Sequence, residues 1–309
     1  MAKRDPGALS AEPRRAAAAV APRRVDGALA IVSFAFAESL RRRVLVVVCA
    51  LTVAFLGLYA LGAHFAFREV ERLGLVGPDL VDEWTLVGST LFGLALFATL
   101  FLGAVLAIFL TIGLVRGDAE TGLLQPLVVR PLGRGTMIVA RFAGAAGAAA
   151  LYVLVVYAIA LAATVALGEW SPDDALLPGL ALAGAVAVIA AISILASVFL
   201  SATAQGIAVF MVFGAGLVAG LLGQIGNALD SESLERIAEW MTVALPFEAL
   251  YQGALYLLTS ETTGLTGDLV RLGPFGGAQE LGLGGVAWAL LYTALVVAAA
   301  VAAFSRRDL

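Results

Sequence analysis

Lysine, histidine and cysteine each occur once in this chain of 309 residues, as Lys3, His64 and Cys49. A single histidine rules out a His-based metal cluster, and it rules out a nucleophile–His couple repeated across the chain. A P-loop needs G-x-x-x-x-G-K-[ST], and the one lysine stands in the N-terminal tail. The chain is therefore no nucleoside triphosphatase of that kind, and any work against a gradient draws its energy from a partner. One cysteine allows no intrachain disulfide and leaves the redox compartment unmarked. Lying inside an apolar run, Cys49 reads as a small buried hydrophobe. Met1 to Arg24 has no uninterrupted apolar core of the kind a signal peptide requires. Residues 1–25 read as a disordered cytoplasmic tail.

Charge is scarce as well. Charged residues make up 14% of the chain, hydrophobic residues 61%, and mean hydropathy is +0.98. This is outside soluble usage and describes an all-α integral membrane protein. Six apolar runs are long enough, at 1.5 Å per residue, to cross a ~30 Å hydrocarbon core. They are placed at 44–63, 85–115, 136–167, 175–200, 205–224 and 283–304. No ionisable residue falls in the middle of any run, so a proton or sodium relay is hard to build. Thr99, Ser193, Ser197 and Gln205 offer the few oxygens that, with backbone carbonyls, could hold sodium. His64, at the outer end of the first run, reads as an interfacial polar side chain.

Lysine and arginine fix the orientation. With the N-terminus inside, fifteen lie on the cytoplasmic face: nine up to Arg43, then Arg116, Arg130, Arg134, Arg141, Arg306 and Arg307. Arg68, Arg72, Arg236 and Arg271 lie on the other. Both termini are expected to be cytoplasmic. Residues 26–40 are too short to span and run into Glu38, Arg41, Arg42 and Arg43. A helix lying in the interface fits this stretch; a plain positive anchor ahead of the first span fits it equally.

The connections are unequal. Residues 225–282 form a long external segment, too apolar for a loose loop. Ser233 can cap a helix LERIAEWMTVAL, and after Pro246 a second helix, PFEALYQGALYLL, carries Glu248 in its first turn, where the helix dipole favours an acid. Two amphipathic helices on the outer surface are the simplest packing. In the fifth run Gly216, Gly220 and Gly223 allow close helix approach, either within the chain or against a second copy.

The one sizeable Arg-bearing connection between two runs is 116–141, RGDAETGLLQPLVVRPLGRGTMIVAR. Asp118 can cap a short helix with Glu120 in its first turn. Pro126 breaks that helix or opens a second one. Pro131, Gly133 and Gly135 end the element, and Thr136 can cap the third span. On spacing alone, a solvated positive loop is an equal reading.

The run Glu120-Thr121-Gly122-Leu123-Leu124, followed by Arg130-Pro131-Leu132 and Arg134, resembles the cytoplasmic loop of ABC-2-type transporter permeases. In that family an E-x-G-T-L-E-x-L-L-x-x-P-x-x-R pattern precedes the third helix. Glu120, Gly122, Pro131 and Arg134 match it, whereas Gln125-Pro126 and the reversed Thr121-Gly122 depart from it. The resemblance implies six spans with an N-terminal interfacial connecting helix, a cytoplasmic coupling loop and an external helical pair before the last span. It implies ATPase coupling through Asp118, Glu120, Gly122, Pro126, Arg130, Pro131 and Arg134, and a connecting helix using Glu38, Arg41, Arg42 and Arg43. It further implies a permease subunit of an ABC exporter in the plasma (inner) membrane. Two copies of a separate ABC ATPase would carry ATP and Mg. A second permease subunit would form a homo- or heterodimer, with no cofactor, metal or nucleic acid on this chain. An ATPase-coupled assembly or maturation factor acting on an extracytoplasmic partner is the alternative, followed by an uncoupled secondary transporter or scaffold.

Overall fold

The structure, a computed structural model, describes residues 43–73, 82–112, 134–272 and 278–306. The expected tail at 1–25 and interfacial helix at 26–40 lie outside the described residues. So do Glu38, Arg41, Arg42, Asp118, Glu120, Gly122, Pro126, Arg130 and Pro131. Arg43 and Arg134 are the first residues of their helices.

The described residues form helices α1 (Arg43–Leu73), α2 (Glu83–Thr111), α3 (Arg134–Gly168), α4 (Leu177–Phe199), α5 (Ala202–Ala228), α6 (Glu232–Ala244), α7 (Pro246–Tyr256), α8 (Gly264–Leu272) and α9 (Leu283–Ser305). Six of them, α1 to α5 and α9, are long and apolar enough to cross a membrane. The all-helical, six-span architecture is the one the composition demands, because a chain in hydrocarbon must satisfy its backbone polar groups internally.

Helix ends depart from the apolar runs where polar residues keep good helix geometry. The first run was expected to end at 63, but α1 continues through Arg68, Glu69 and Arg72 to Leu73, with Arg72 lying 4.0 Å from Glu69 on the same face. Loss of hydropathy ends a run, not a helix. Likewise α3 begins before Thr136, and Ser231 rather than Ser233 stands at the start of α6. Asp82 caps α2 as a side-chain acceptor, with Oδ1 receiving Trp84 N at 3.1 Å and Thr85 N at 3.3 Å. Asp174 does the same ahead of α4, receiving Leu176 N and Leu177 N at 2.9 Å each.

The core centres on α2 and α4, whose apolar windows are the most buried of the six spans. They cross α3 where Gly103 of α2 meets Val153 of α3 and Val186 of α4. The α3–α4 turn folds back over the bundle: Glu169 takes φ 50°, and buried Trp170 lies over Gly88 and edge-on to Phe92. On the flank, α1 is held by a hydroxyl contact between Tyr59 and Thr164 at 2.5 Å, a second between Thr52 and Tyr152, and Phe67 against Gly168. Its other face is exposed, and Cys49 lies on it, so the expected burial of that residue is corrected. Cys49 belongs to a peripheral helix whose apolar side chains point away from the bundle.

The segment before the last span also differs from two surface helices. Of the pair, α6 is superficial, with Trp240 and Ile237 exposed. By contrast α7 is a core element packed against α4, α5 and α9, with Phe247, Leu250, Tyr251 and Ala254 buried. Leu250 reaches Gly184, two turns or ~10 Å into α4. The third helix, α8, is tied to the start of α2 by Asp82 N donating to Thr266 Oγ1 at 2.8 Å.

The α2–α3–α4 crossing gives a direct test. Gly103→Ala places a methyl against Val153 and Val186 and should lower thermal stability in detergent, by about 1–3 kcal/mol. Gly214→Ala, where nothing lies within 4 Å, should be neutral or stabilising. Equal effects of the two would contradict the packing.

Candidate functional site

Two polar arrangements inside the bundle join several helices or leave polar atoms over, among the described residues. The first joins the end of α2, the last two turns of α4 and the start of α5. Thr111, the last residue of α2, is fully buried, and its hydroxyl lies 2.6 Å from Ser193 Oγ and 2.8 Å from the Ala107 and Ile108 carbonyls. Gln205, in the first turn of α5 and also fully buried, points its amide nitrogen at all three helices' meeting point. Nε2 donates to Thr111 O at 3.2 Å, Ser193 O at 3.0 Å and Ser193 Oγ at 3.1 Å. A carbonyl in the last turn of a helix has no partner in that helix, and in an apolar interior it must find one elsewhere. Gln205 supplies it for Thr111, fastening α2 to α5 at the point where the chain leaves for residues 113–133.

This geometry answers the sodium reading. Only Ser193 and Gln205, of the four oxygen-bearing residues, come together. Thr99 donates to Ala95 O and Ser197 to Ile194 O, each at 2.7 Å within its own helix. Where Ser193 and Gln205 meet, Gln205 presents its donor amide, whereas a cation needs an acceptor there. Among the described residues, no group of three or more His, Cys, Asp or Glu could hold a metal ion.

The second arrangement lies on the glycine face of α5. Gly216 receives the Phe247 ring, Gly220 receives the Glu248 and Gln252 side chains, and a Cβ on Gly223 would lie 3.2 Å from that of Ala238. All three glycines thus face α6 and α7 of the same chain. Small residues let the backbones approach, as they do in membrane helix pairs generally, and the room at Gly220 is taken by a carboxyl group.

Glu248 is only 2% exposed. Its Oε1 accepts from Gln252 Nε2 at 2.7 Å, while its Oε2 and Gln252 Oε1 are buried with no hydrogen-bond partner. Burial pushes the carboxyl up to about 7, partly offset by the Gln252 hydrogen bond. The neighbouring Tyr251 hydroxyl is pushed up by burial and by the Glu248 charge. The sequence reading took Glu248 for a first-turn acid at a helix start and missed its burial. Glu248, Tyr251, Gln252 and Leu255 repeat at helical spacing in a helix otherwise almost wholly apolar, a pattern that marks a packed face rather than a wet one.

A bundle of six such helices, long and apolar enough to cross a bilayer, with a folded segment before the last span, defines a multi-pass membrane protein. The family profile described as "ABC-2 family transporter protein" matches residues 29–309, and the chain belongs to that family. It is the membrane permease subunit of an ABC transporter, a kind of subunit that works with an ABC ATPase and is itself generally non-catalytic. No curated protein matches the chain.

The three-helix joint is open to a double-mutant cycle. Gln205→Leu and Ser193→Ala should each destabilise the protein, and the double variant should lose less than their sum, with a coupling of roughly 0.5–2 kcal/mol. Strict additivity in thermal unfolding would contradict the joint.

Proposed function

We propose that the chain is the membrane half of an ABC exporter of the plasma membrane, with both termini in the cytoplasm. Two copies face each other, or one faces a related subunit, and a separate ATPase docks beneath each. The observation that carries this reading is the position of the Gln205 joint. It stands at the root of the 113–133 connection, which holds the residues matching the coupling pattern except Arg134 at the start of α3, and ties that root to both α4 and α5.

The stroke follows from these links. When the ATPases close on ATP and Mg, they displace the connection through its coupling residues, Asp118, Glu120, Gly122, Pro126, Arg130, Pro131 and Arg134, with Pro126 to Arg130 as the part that docks. A flexible root would dissipate that displacement. Because Thr111, Ser193 and Gln205 are bonded together and buried, the end of α2, the lower turns of α4 and the start of α5 move as one block. In the second half of α5 the block meets α7, seated on Gly216 and Gly220, so motion on the motor side reaches the folded segment before the last span. Glu38 and Arg41 to Arg43 would brace the ATPase from the connecting helix.

The folded segment favours a second reading, in which the same stroke acts on an extracytoplasmic protein rather than on a cargo. Residues 232–272 fold into three helices pinned to the spans by the Asp82–Thr266 bond and by Trp288 Nε1 donating to Val243 O at 2.9 Å. Deleting residues 264–277 separates the two readings, since a protein-docking surface should suffer more than a substrate path.

The purified chain alone should hydrolyse no ATP and should co-purify with a soluble P-loop ATPase expressed beside it. Glu120→Arg and Arg134→Glu should leave expression intact while uncoupling the complex, so that ATP hydrolysis no longer drives export or partner maturation. Unimpaired coupling in both variants would sink the role given to this connection.

A further inference from the structure

The Glu248–Gln252 pair is unusual in what it leaves over. An ionised carboxylate has only acceptors, and a primary amide has one acceptor and two donor hydrogens. Gln252 Nε2 satisfies Glu248 Oε1, and the two atoms remaining without partners are both oxygens, Glu248 Oε2 and Gln252 Oε1. Two buried acceptors on side chains one helical turn apart are a costly remainder, because each has given up water for nothing. A single hydrogen between them satisfies both.

No counter-charge does that work. Helices α4 and α5, which pack against α7, contain no charged or other titratable side chain, and α9 contains only Tyr292. Helix α2 contributes only Glu83, in its first turn. Helix α6 has Glu232, Glu235, Arg236 and Glu239; its one cation, Arg236, is exposed and pairs with Glu232 at 3.8 Å. On α7 itself the other titratable groups are Tyr251 and Tyr256. Among the described residues, then, no cation faces Glu248 from any element packed on it.

We propose that Glu248 and Gln252 form a proton-binding site. With the proton on Oε2, Glu248 donates to Gln252 Oε1 and accepts from Gln252 Nε2, closing a cyclic acid–amide pair seated against Gly220 of α5. The site is a latch between the segment before the last span and the glycine face. Protonated, the pair is neutral, leaves no acceptor unpaired and lies flat in the space that a Cβ on residue 220 would fill. On losing its proton to water, the carboxylate becomes an unpaired charge in an apolar seat, and α7 is driven off α5 toward solvent.

The direction with pH follows. Burial raises the folded carboxyl from 4.5 to about 7, so the docked state holds its proton more tightly than the undocked state does. Docking is at full strength below about pH 4.5 and weakens as pH rises through about 7. This proposal needs neither the exporter reading nor the ATPase.

The test is an infrared pH titration of the full chain in lipid nanodiscs. A protonated-carboxyl carbonyl band should titrate with a midpoint near 7 and be absent in Glu248→Gln, which keeps shape and hydrogen bonds. Gln252→Leu should move the same band to higher frequency by removing the amide partner. Amide hydrogen exchange in α7, taken as the ratio of wild type to Glu248→Gln at equal pH, should rise between about pH 4.5 and 7, by up to about tenfold per pH unit, and level off above about 7. A band unchanged in Glu248→Gln, or no titrating band, would overturn the proton site. A flat exchange ratio would overturn the latch while leaving the exporter reading untouched.

Discussion

An apolar interior leaves no water to satisfy a helix end, and the structure depends on how that constraint is met at Thr111. The last carbonyl of α2 and the Ser193 carbonyl and hydroxyl of α4 converge on one amide, that of Gln205. Three helices that could otherwise slide past one another on alanine, leucine and valine surfaces are pinned at a single depth. Around this pin much of the packing is shape: Gly103 between two valines, Gly88 beneath Trp170, and the α5 glycines beneath α7.

The two buried polar sites sit along α5, one at its first turn and the other in its second half. One, at its first turn, is all neutral donors and acceptors and is fully paired to the neighbouring helices. The other, at Gly220, holds an acid whose pairing is complete only with a proton. In a membrane subunit that must change shape, the first is suited to transmit motion and the second to hold or release an element. Helix α5 links them and carries on one face the small residues that make the far seat possible, and on the other Met211, Val218 and Leu221, exposed and apolar.

Much of this architecture was legible in the sequence, because crossing a membrane imposes length and hydropathy on every span. The distribution of arginine supplied an orientation, and the Glu120 to Arg134 pattern supplied a family that the match over 29–309 establishes. What hydropathy could not convey was tertiary. It placed the end of α1 at the last apolar residue, whereas α1 runs on through polar helix formers to Leu73. It described α7 as amphipathic and superficial, because an acid and a glutamine among apolar residues look like a wet face until the glycines opposite them are brought near. It also offered Ser193 and Gln205 as sodium ligands, since a list of oxygens does not say that the glutamine's nitrogen points inward. The partner of each group was set by helices distant in sequence, Thr111 with Gln205 and Glu248 with Gly220.

The central claim is that the end of α2 and the start of α5 move as one body when the motor acts. Spin labels at Ile112 and Thr203 in the assembled complex with its ATPase measure it, with distances read in the nucleotide-free and ATP-trapped states. The account predicts a distance between them that does not change on trapping ATP in the native background and becomes broad or nucleotide-dependent in Gln205→Leu. A nucleotide-dependent change in the native background would contradict it.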